Sequence, residues 1–264
     1  MATKSGINLN RWWRGLGTAL SFTVFGLGGL VIGLVIAPLL NLCIRDKERR
    51  QTLARRLIRV CFRGFINLMR GLGVLDYRFH HQERLQRPGL LVLANHPSLI
   101  DVIFLIAHIP RADCIVKGRL ANNIFTRGPI RAAGYITNNE PEAVLEAADT
   151  SLRKGNTLVL FPEGTRTQPQ RPIKFRRGGA NIALRTDTAI TPVLIRCTPT
   201  TLTKGEPWYH IPIKKVRVEL LALDDFPVPD RQHQPTGQLA RQLTDQLSHH
   251  FNKELERFHH ERDI

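Results

Sequence analysis

GLLVLANHPSLID, residues 89–101, joins two kinds of sequence in one stretch. GLLVLA, residues 89–94, is a short apolar run with the character of a buried strand. It passes directly into NHPSLID, residues 95–101. Pro97 keeps the residue before it out of the helical region, so His96 is expected in a loop at the end of that strand. Ser98 suits the N-cap of the helix that follows, predicted over Leu99–His108, and Asp101 its third position. On one continuous helix His96 and Asp101 would point about 140° apart; with His96 in the loop and Asp101 in the first turn they can meet. Two readings follow. In one, Ser98 and Asp101 form a capping box, which leaves His96 without a purpose. In the other, the Asp101 carboxylate orients the His96 imidazole, which takes a proton from an attacking hydroxyl.

Further along, TLVLF at 157–161 is a second buried-strand run and leads into FPEGTR at 161–166. Ligands of α/β sheets sit at the carboxyl ends of strands. Gly164 permits a tight turn or a close approach to a ligand. Arg166 supplies a cationic fork suited to phosphate or carboxylate, and Glu163 can receive a hydroxyl or pair with Arg166. The bland alternative is a polar turn with a surface ion pair. Between and beyond these motifs the chain alternates. Strands are expected at 113–116, 189–196 and 216–222, helices at 140–154 and 176–185. A closing amphipathic helix from Thr236 carries Leu239, Leu243, Leu247, Phe251, Leu255 and Phe258 in one stripe. This alternation predicts an α/β fold: a central mixed sheet flanked by helices.

The N-terminus differs from the rest. Gly15–Ile44 is thirty residues without a charge, longer than the ~20 that span a bilayer and too long for the core of a secretory signal. It reads as a retained membrane-embedding segment with Trp12 and Trp13 as interfacial anchors. One geometry is a single tilted span. The other, slightly favoured, is a hairpin in one leaflet that turns near Gly28-Gly29, with Pro38 in its second limb. Eight Lys/Arg lie between Arg45 and Arg63 against three before Gly15, which places the body of the protein in the cytosol. Residues 47–72 read as an amphipathic helix, with Leu53, Leu57, Val60, Cys61, Phe65 and Leu68 on one side and Arg55, Arg56, Arg59, Arg63 and Arg70 on the other. It either lies in the headgroup plane with its arginines on phosphates or packs on the core with a solvated basic face.

Composition bounds the partners. The chain holds 38 Lys+Arg against 22 Asp+Glu, a net charge of +16, so its surface attracts polyanions. No zinc-finger spacing or RNP-like motif points to nucleic acid, and none is expected as a partner. Cys43, Cys61, Cys114 and Cys197 form no CxxC pair and read as reduced packing residues. Of five serines, none sits in a G-x-S-x-G elbow, which argues against a serine lipase.

NHxxxxD followed some sixty residues later by FPEGTR resembles the lysophospholipid acyltransferase family, which includes the bacterial 1-acylglycerol-3-phosphate acyltransferases. The resemblance runs from about Leu72 to Ala222, and Lys117, FRRGGA at 175–180 and ITPV at 190–193 fit it as well. It implies a division into a membrane-anchoring helical segment over 1–72, with an interfacial amphipathic helix, and an α/β acyltransferase domain over 73–264. It implies His96 as general base with Asp101 as its orienting partner, and Lys117, Glu163, Gly164, Thr165 and Arg166 at the acceptor's polar head. The acceptor would be a lyso-lipid, most simply 1-acylglycerol-3-phosphate. The donor would be an acyl carrier protein or coenzyme A thioester as co-substrate, with no cofactor and no metal. The location implied is the cell inner membrane, with the catalytic domain facing the cytoplasm. One departure falls between the motifs. The family carries an arginine there, in a pattern like G-x-I-F-x-x-R, whereas this chain reads GYITNN over 134–139 with Asn138 and Asn139 near the expected place. Arg131, a little earlier, is the candidate substitute.

Overall fold

The computed structural model describes residues 3–138, 140–169, 171–230 and 236–260, with side chains from residue 9 onward. Asn139 lies outside the described residues. The strands are β1 (Leu75–His80), β2 (Leu91–Ala94), β3 (Ala112–Val116), β4 (Ile136–Thr137), β5 (Thr157–Leu160), β6 (Ile190–Thr198) and β7 (Val216–Ala222). They form one sheet in the order β1-β7-β6-β2-β5-β3-β4. Every neighbouring pair is parallel except β6 with β7, so the sheet is mixed. The helices are α1 (Thr3–Val31), α2 (Ala37–Cys43), α3 (Lys47–Gly71), α4 (Asp101–His108), α5 (Gly118–Asn122), α6 (Arg127–Ala133), α7 (Pro141–Arg153), α8 (Gly178–Thr186) and α9 (Thr236–His260).

The central strands are apolar on both faces, and their period of two divides the core. Val92, Ala94, Val159, Val193 and Ile195 face one layer, which holds Ile58 of α3 and Phe104 of α4. Leu91, Leu93, Leu158, Ile190 and Leu194 face the other, which holds Leu152 of α7, Leu184 of α8 and Leu243 of α9. The α9 stripe is buried as expected, apart from Leu255, which is partly exposed. The edge strand β1 has no counterpart in the sequence reading: LDYRFH mixes charges into a half-buried pattern. Cys114 and Cys197 are buried packing residues, whereas Cys43 and Cys61 are exposed, and all four are free thiols.

The hairpin expected at Gly28-Gly29 does not form. Residues 3–43 run as one helix through a π-helical turn at Ile32–Ile36, just before Pro38. Among the described residues, Leu9–Cys43 is the one helix long and apolar enough to cross a membrane. Its glycines serve close approach instead of a turn. A Cβ on Gly29 would sit 2.0 Å from the Phe125 carbonyl oxygen, and one on Gly128 would sit 2.3 Å from the Gly33 Cα. Gly29 and Gly33 are therefore the seat on which the start of α6 rests, as small residues allow at tight helix crossings. The helix is further held by Arg11 and Arg14, which donate to the carbonyls of Ile211, Pro212 and Ile213. Trp13 gives its indole N–H to Leu72 O at 2.9 Å, while Trp12 is left exposed.

Helix α3 buries Ala54, Ile58, Phe65, Ile66 and Met69, a stripe rotated by roughly a quarter turn from the one read in the sequence. Val60 and Cys61 are exposed. Its arginines mostly meet protein. Arg55 pairs with buried Asp113 at 2.7 Å, and Arg59 and Arg63 donate to the last carbonyls of α4, Ala107 and His108, where a helix end attracts cations. Arg70 pairs with Asp76.

Gly28 is exposed, and a Cβ there would meet nothing within 4 Å. In the intact protein in detergent, Gly28→Ala should raise thermal stability by up to about 1 kcal/mol through helix propensity. Gly29→Ala should lower it by about 1–3 kcal/mol through overpacking. A destabilising Gly28→Ala with a harmless Gly29→Ala would restore the hairpin.

Candidate active site

The parallel pairing of β2 with β5 sets Leu91 beside Leu158, Val92 beside Val159 and Leu93 beside Leu160. Continued past the strand ends, that offset of 67 carries His96 to Glu163, and the His96 backbone N–H donates to Glu163 Oε1 at 3.1 Å. The sequence distance between the two motifs is thus closed by strand register. On the other side of β2, Asn95 is buried and clamps β6: its amide donates to Ile195 O at 2.8 Å and its oxygen accepts from Ile195 N at 2.7 Å. The loop bearing His96 is pinned to both neighbours of its strand.

Both sequence readings of NHPSLID hold in part. His96 Nδ1 lies 2.9 Å from Asp101 Oδ2, and the same carboxylate accepts the Ser98 N–H at 2.7 Å and the Ser98 hydroxyl at 2.5 Å. The helix begins at Asp101 instead of Leu99, with Ile100 at its N-cap and no side-chain cap bond. Ser98 therefore donates to the carboxylate instead of capping backbone donors. Asp101 and Ser98 are fully buried, whereas the His96 side chain is 19% exposed. A carboxylate without a proton can only accept, so Nδ1 carries the hydrogen and Nε2 keeps its lone pair. The ring stacks on Phe161, centroids 4.2 Å apart, which fixes its plane.

FPEGTR surrounds this dyad. Glu163 is buried and accepts from His96 N and, at 2.6 Å, from the Thr167 hydroxyl; Thr167 Oγ1 itself accepts the His96 N–H at 2.9 Å, and Thr167 N donates to His96 O. Burial pushes the Glu163 carboxyl above the usual carboxylate range, and the Thr167 and His96 bonds oppose that rise. Gly164 has a positive φ of 66°, a left-handed conformation that favours glycine, and a Cβ there would lie 3.0–3.2 Å from the end of the Arg176 side chain. Arg166 donates to Leu202 O and Thr203 O at 2.7 and 2.9 Å; it does not pair with Glu163. Thr165 is half-buried.

Lys117 follows β3 at the same edge of the sheet. Its ammonium is held below the usual lysine range, first by partial burial and then by repulsion from Arg119, Arg176, Lys204 and Arg166. The structure thus groups five cations here, of which Arg119 and Lys204 were not singled out in the sequence. Nor were Asn95 and Thr167, which fall inside or beside the motifs but look like ordinary loop residues. Arg131 is not part of this group. It is exposed on α6 and lines a separate cavity with Lys47, Arg50 and Gln51. The register that pairs Val116 with Thr137 sets Asn138 beside Lys117, and Asn138 N donates to Val116 O.

Residues 76–196 match the family model described as Acyltransferase. Curated proteins similar to the chain include 1-acyl-sn-glycerol-3-phosphate acyltransferases. That of Cocos nucifera is 27% identical over 116 residues, 40% of this chain and 36% of the relative. That of Helicobacter pylori is 30% identical over 112 residues, 40% of this chain and 47% of the relative. That of Saccharomyces cerevisiae is 27% identical over 187 residues, 67% of this chain and 59% of the relative. The chain therefore spans about half the length of the curated relatives it matches. The fold is that of the crystal structure of the 1-acyl-sn-glycerophosphate (LPA) acyltransferase PlsC from Thermotoga maritima, with a TM-score of 0.65 at 20% identity, covering 94% of this chain and 97% of that one.

The buried Glu163 carboxyl makes stability depend on pH. A carboxyl whose folded pKa is raised binds more protons folded than unfolded, so its contribution is full below the ordinary value and is lost as pH rises through the folded one. Glu163→Gln keeps an oxygen that accepts from Thr167 and His96 N. Thermal melts from about pH 4, near the ordinary glutamate value, upward should show the variant gaining on the parent as pH rises. A difference independent of pH would mean that the carboxyl is not held in a dry site.

Proposed function

We propose that this chain is a membrane-associated O-acyltransferase. It moves a fatty acyl group from an acyl carrier protein or coenzyme A thioester to the hydroxyl of a lyso-lipid, 1-acylglycerol-3-phosphate by preference. The observation that carries the reading is a histidine oriented by a buried carboxylate at strand ends shared with a cluster of five cations. The names of the curated relatives support the same acceptor.

His96 Nε2 removes the proton of the acceptor hydroxyl as that oxygen attacks the thioester carbonyl carbon. Asp101 stabilises the imidazolium that forms. The tetrahedral intermediate collapses, the carbon–sulfur bond breaks, and the departing thiolate takes the proton back from His96. The products are an ester and a free thiol, with no acyl-enzyme, cofactor or metal ion in the sequence. Lys117 and Arg166 hold the acceptor's phosphate, and Gly164 and Thr165 let it approach the loop. Glu163 positions the His96 backbone. Ser98 is unsuited as a nucleophile, because it is buried and its hydroxyl is committed to Asp101.

The long N-terminal helix is held against the domain on one side and leaves Leu16, Leu20, Leu27, Leu34 and Leu42 exposed on the other. A helix so docked fits one leaflet better than a free span. The excess of basic residues after it favours an inner-membrane site with the domain in the cytoplasm.

The test crosses several lyso-lipids with both donor types in vesicles and reads products by mass spectrometry. Lysophosphatidic acid should be the best acceptor. Asn138→Arg, which puts a cation beside Lys117, should leave that preference in place and change turnover less than about tenfold, the effect of gaining a 1.4 kcal/mol contact. If the parent prefers an acceptor without a phosphomonoester and Asn138→Arg raises lysophosphatidic acid turnover tenfold or more, the phosphate reading is wrong.

A further inference from the structure

A cavity of about 500 Å³ opens between the end of the long N-terminal helix, the first turn of α3 and α6. Gly33 and Gly128, whose backbones meet in contact, line it. The wall contributed by the N-terminal helix is apolar, with Leu30, Leu34, Pro38 and Leu40, and Ile124 faces it. The other wall carries Lys47, Arg50, Arg127 and Arg131, and no Asp or Glu among the described residues lines the cavity. Arg50 is used by the fold: it donates to Ile44 O and Arg45 O. Lys47, Arg127 and Arg131 have no ion-pair or hydrogen-bond partner among the described residues and are exposed.

Four cations around one small cleft repel each other at close range. A solvated basic face would scatter them, and would not pair them with a concave apolar wall. The shape has one apolar side and one cationic side, at the end of a helix whose outer face is apolar. That is the complement of an amphiphile with an anionic head. We infer that this cleft holds one anionic phospholipid of the surrounding bilayer, its phosphate between Arg127, Arg131 and Lys47 and an acyl chain along Leu30, Leu34 and Leu40. A phosphate in such a site takes charge-assisted bonds from arginine forks. The occupant also ties the N-terminal helix to α6, and so to the α/β body. This site is separate from His96 and stands whether or not the acyl-transfer reading does, because binding is its readout.

The experiment uses the intact protein in an uncharged detergent and follows melting temperature against added lipid. Dioleoyl phosphatidylglycerol should raise it saturably. Dioleoyl phosphatidylcholine, whose head is neutral overall, and inorganic phosphate, which lacks the chain, should not. Arg127→Gln/Arg131→Gln should weaken the apparent affinity for phosphatidylglycerol tenfold or more while melting normally without lipid. Arg241→Gln/Lys253→Gln, an equal loss of charge at exposed positions on α9, should leave it unchanged. Equal weakening by the two double variants would reduce the effect to general surface charge and overturn the site. So would an equal response to phosphatidylcholine, or to inorganic phosphate alone. A raised KM for lysophosphatidic acid in Arg127→Gln/Arg131→Gln, with that lipid displacing phosphatidylglycerol, would make the cleft an acceptor site and refute the inference as well.

Discussion

The parallel register between β2 and β5 is the constraint on which the site depends. Parallel strands in the middle of a sheet have little freedom to slip, because a one-residue shift would send every side chain to the opposite face. Here both faces are buried, and the two layers take alternate residues of β2 and β5. The packing of Leu91, Leu93, Val159 and Leu158 therefore fixes where His96 and Glu163 emerge. Asn95 repeats the constraint toward β6 through a buried pair of hydrogen bonds. A base must be held within a fraction of an ångström to be effective. The sheet achieves this for the His96 backbone, Phe161 for the ring plane and Asp101 for the tautomer.

A second coupling runs through the segment between β6 and β7. Its first part accepts Arg166 at Leu202 and Thr203. Its later part accepts Arg11 and Arg14 of the N-terminal helix at Ile211, Pro212 and Ile213. The arginine at the site and the apolar helix are thus fastened to one loop. Embedding the helix in a bilayer would set the height and tilt of the cationic edge of the sheet above the lipid surface. Carbonyl oxygens as partners leave Arg166 with its charge unneutralised, which suits it to an anionic ligand. An ion pair with Glu163 would have spent that charge.

The dyad, FPEGTR and the alternating sheet were legible in the sequence because each chemical motif abuts an apolar run, and the end of a buried strand is a position that local pattern reveals. Among the features that were not legible, three have a reason in tertiary structure. Glycine at 28–29 reads equally as a turn or as a seat for another helix, and the partner, Phe125 and Gly128, lies about a hundred residues away. The inward side of α3 is decided by which helices flank it, so a wheel drawn from α3 alone was turned by about a quarter. Arg131 was close in sequence to the expected arginine but on a helix that faces another cavity, while the strand pairing of Val116 with Thr137 sets Asn138 beside Lys117.

The central claim is that His96, held by Asp101, is the base for acyl transfer. The most direct measurement is turnover of an acyl thioester and lysophosphatidic acid by vesicle-reconstituted His96→Ala, beside Asp101→Asn and Ser98→Ala, with folding checked by cooperative melting. Loss of a positioned general base costs about 10²–10⁴ in rate. The account predicts a loss of that size for His96→Ala, a smaller one for Asp101→Asn, and a smaller one again for Ser98→Ala. A folded His96→Ala that retains the parent's turnover would contradict it.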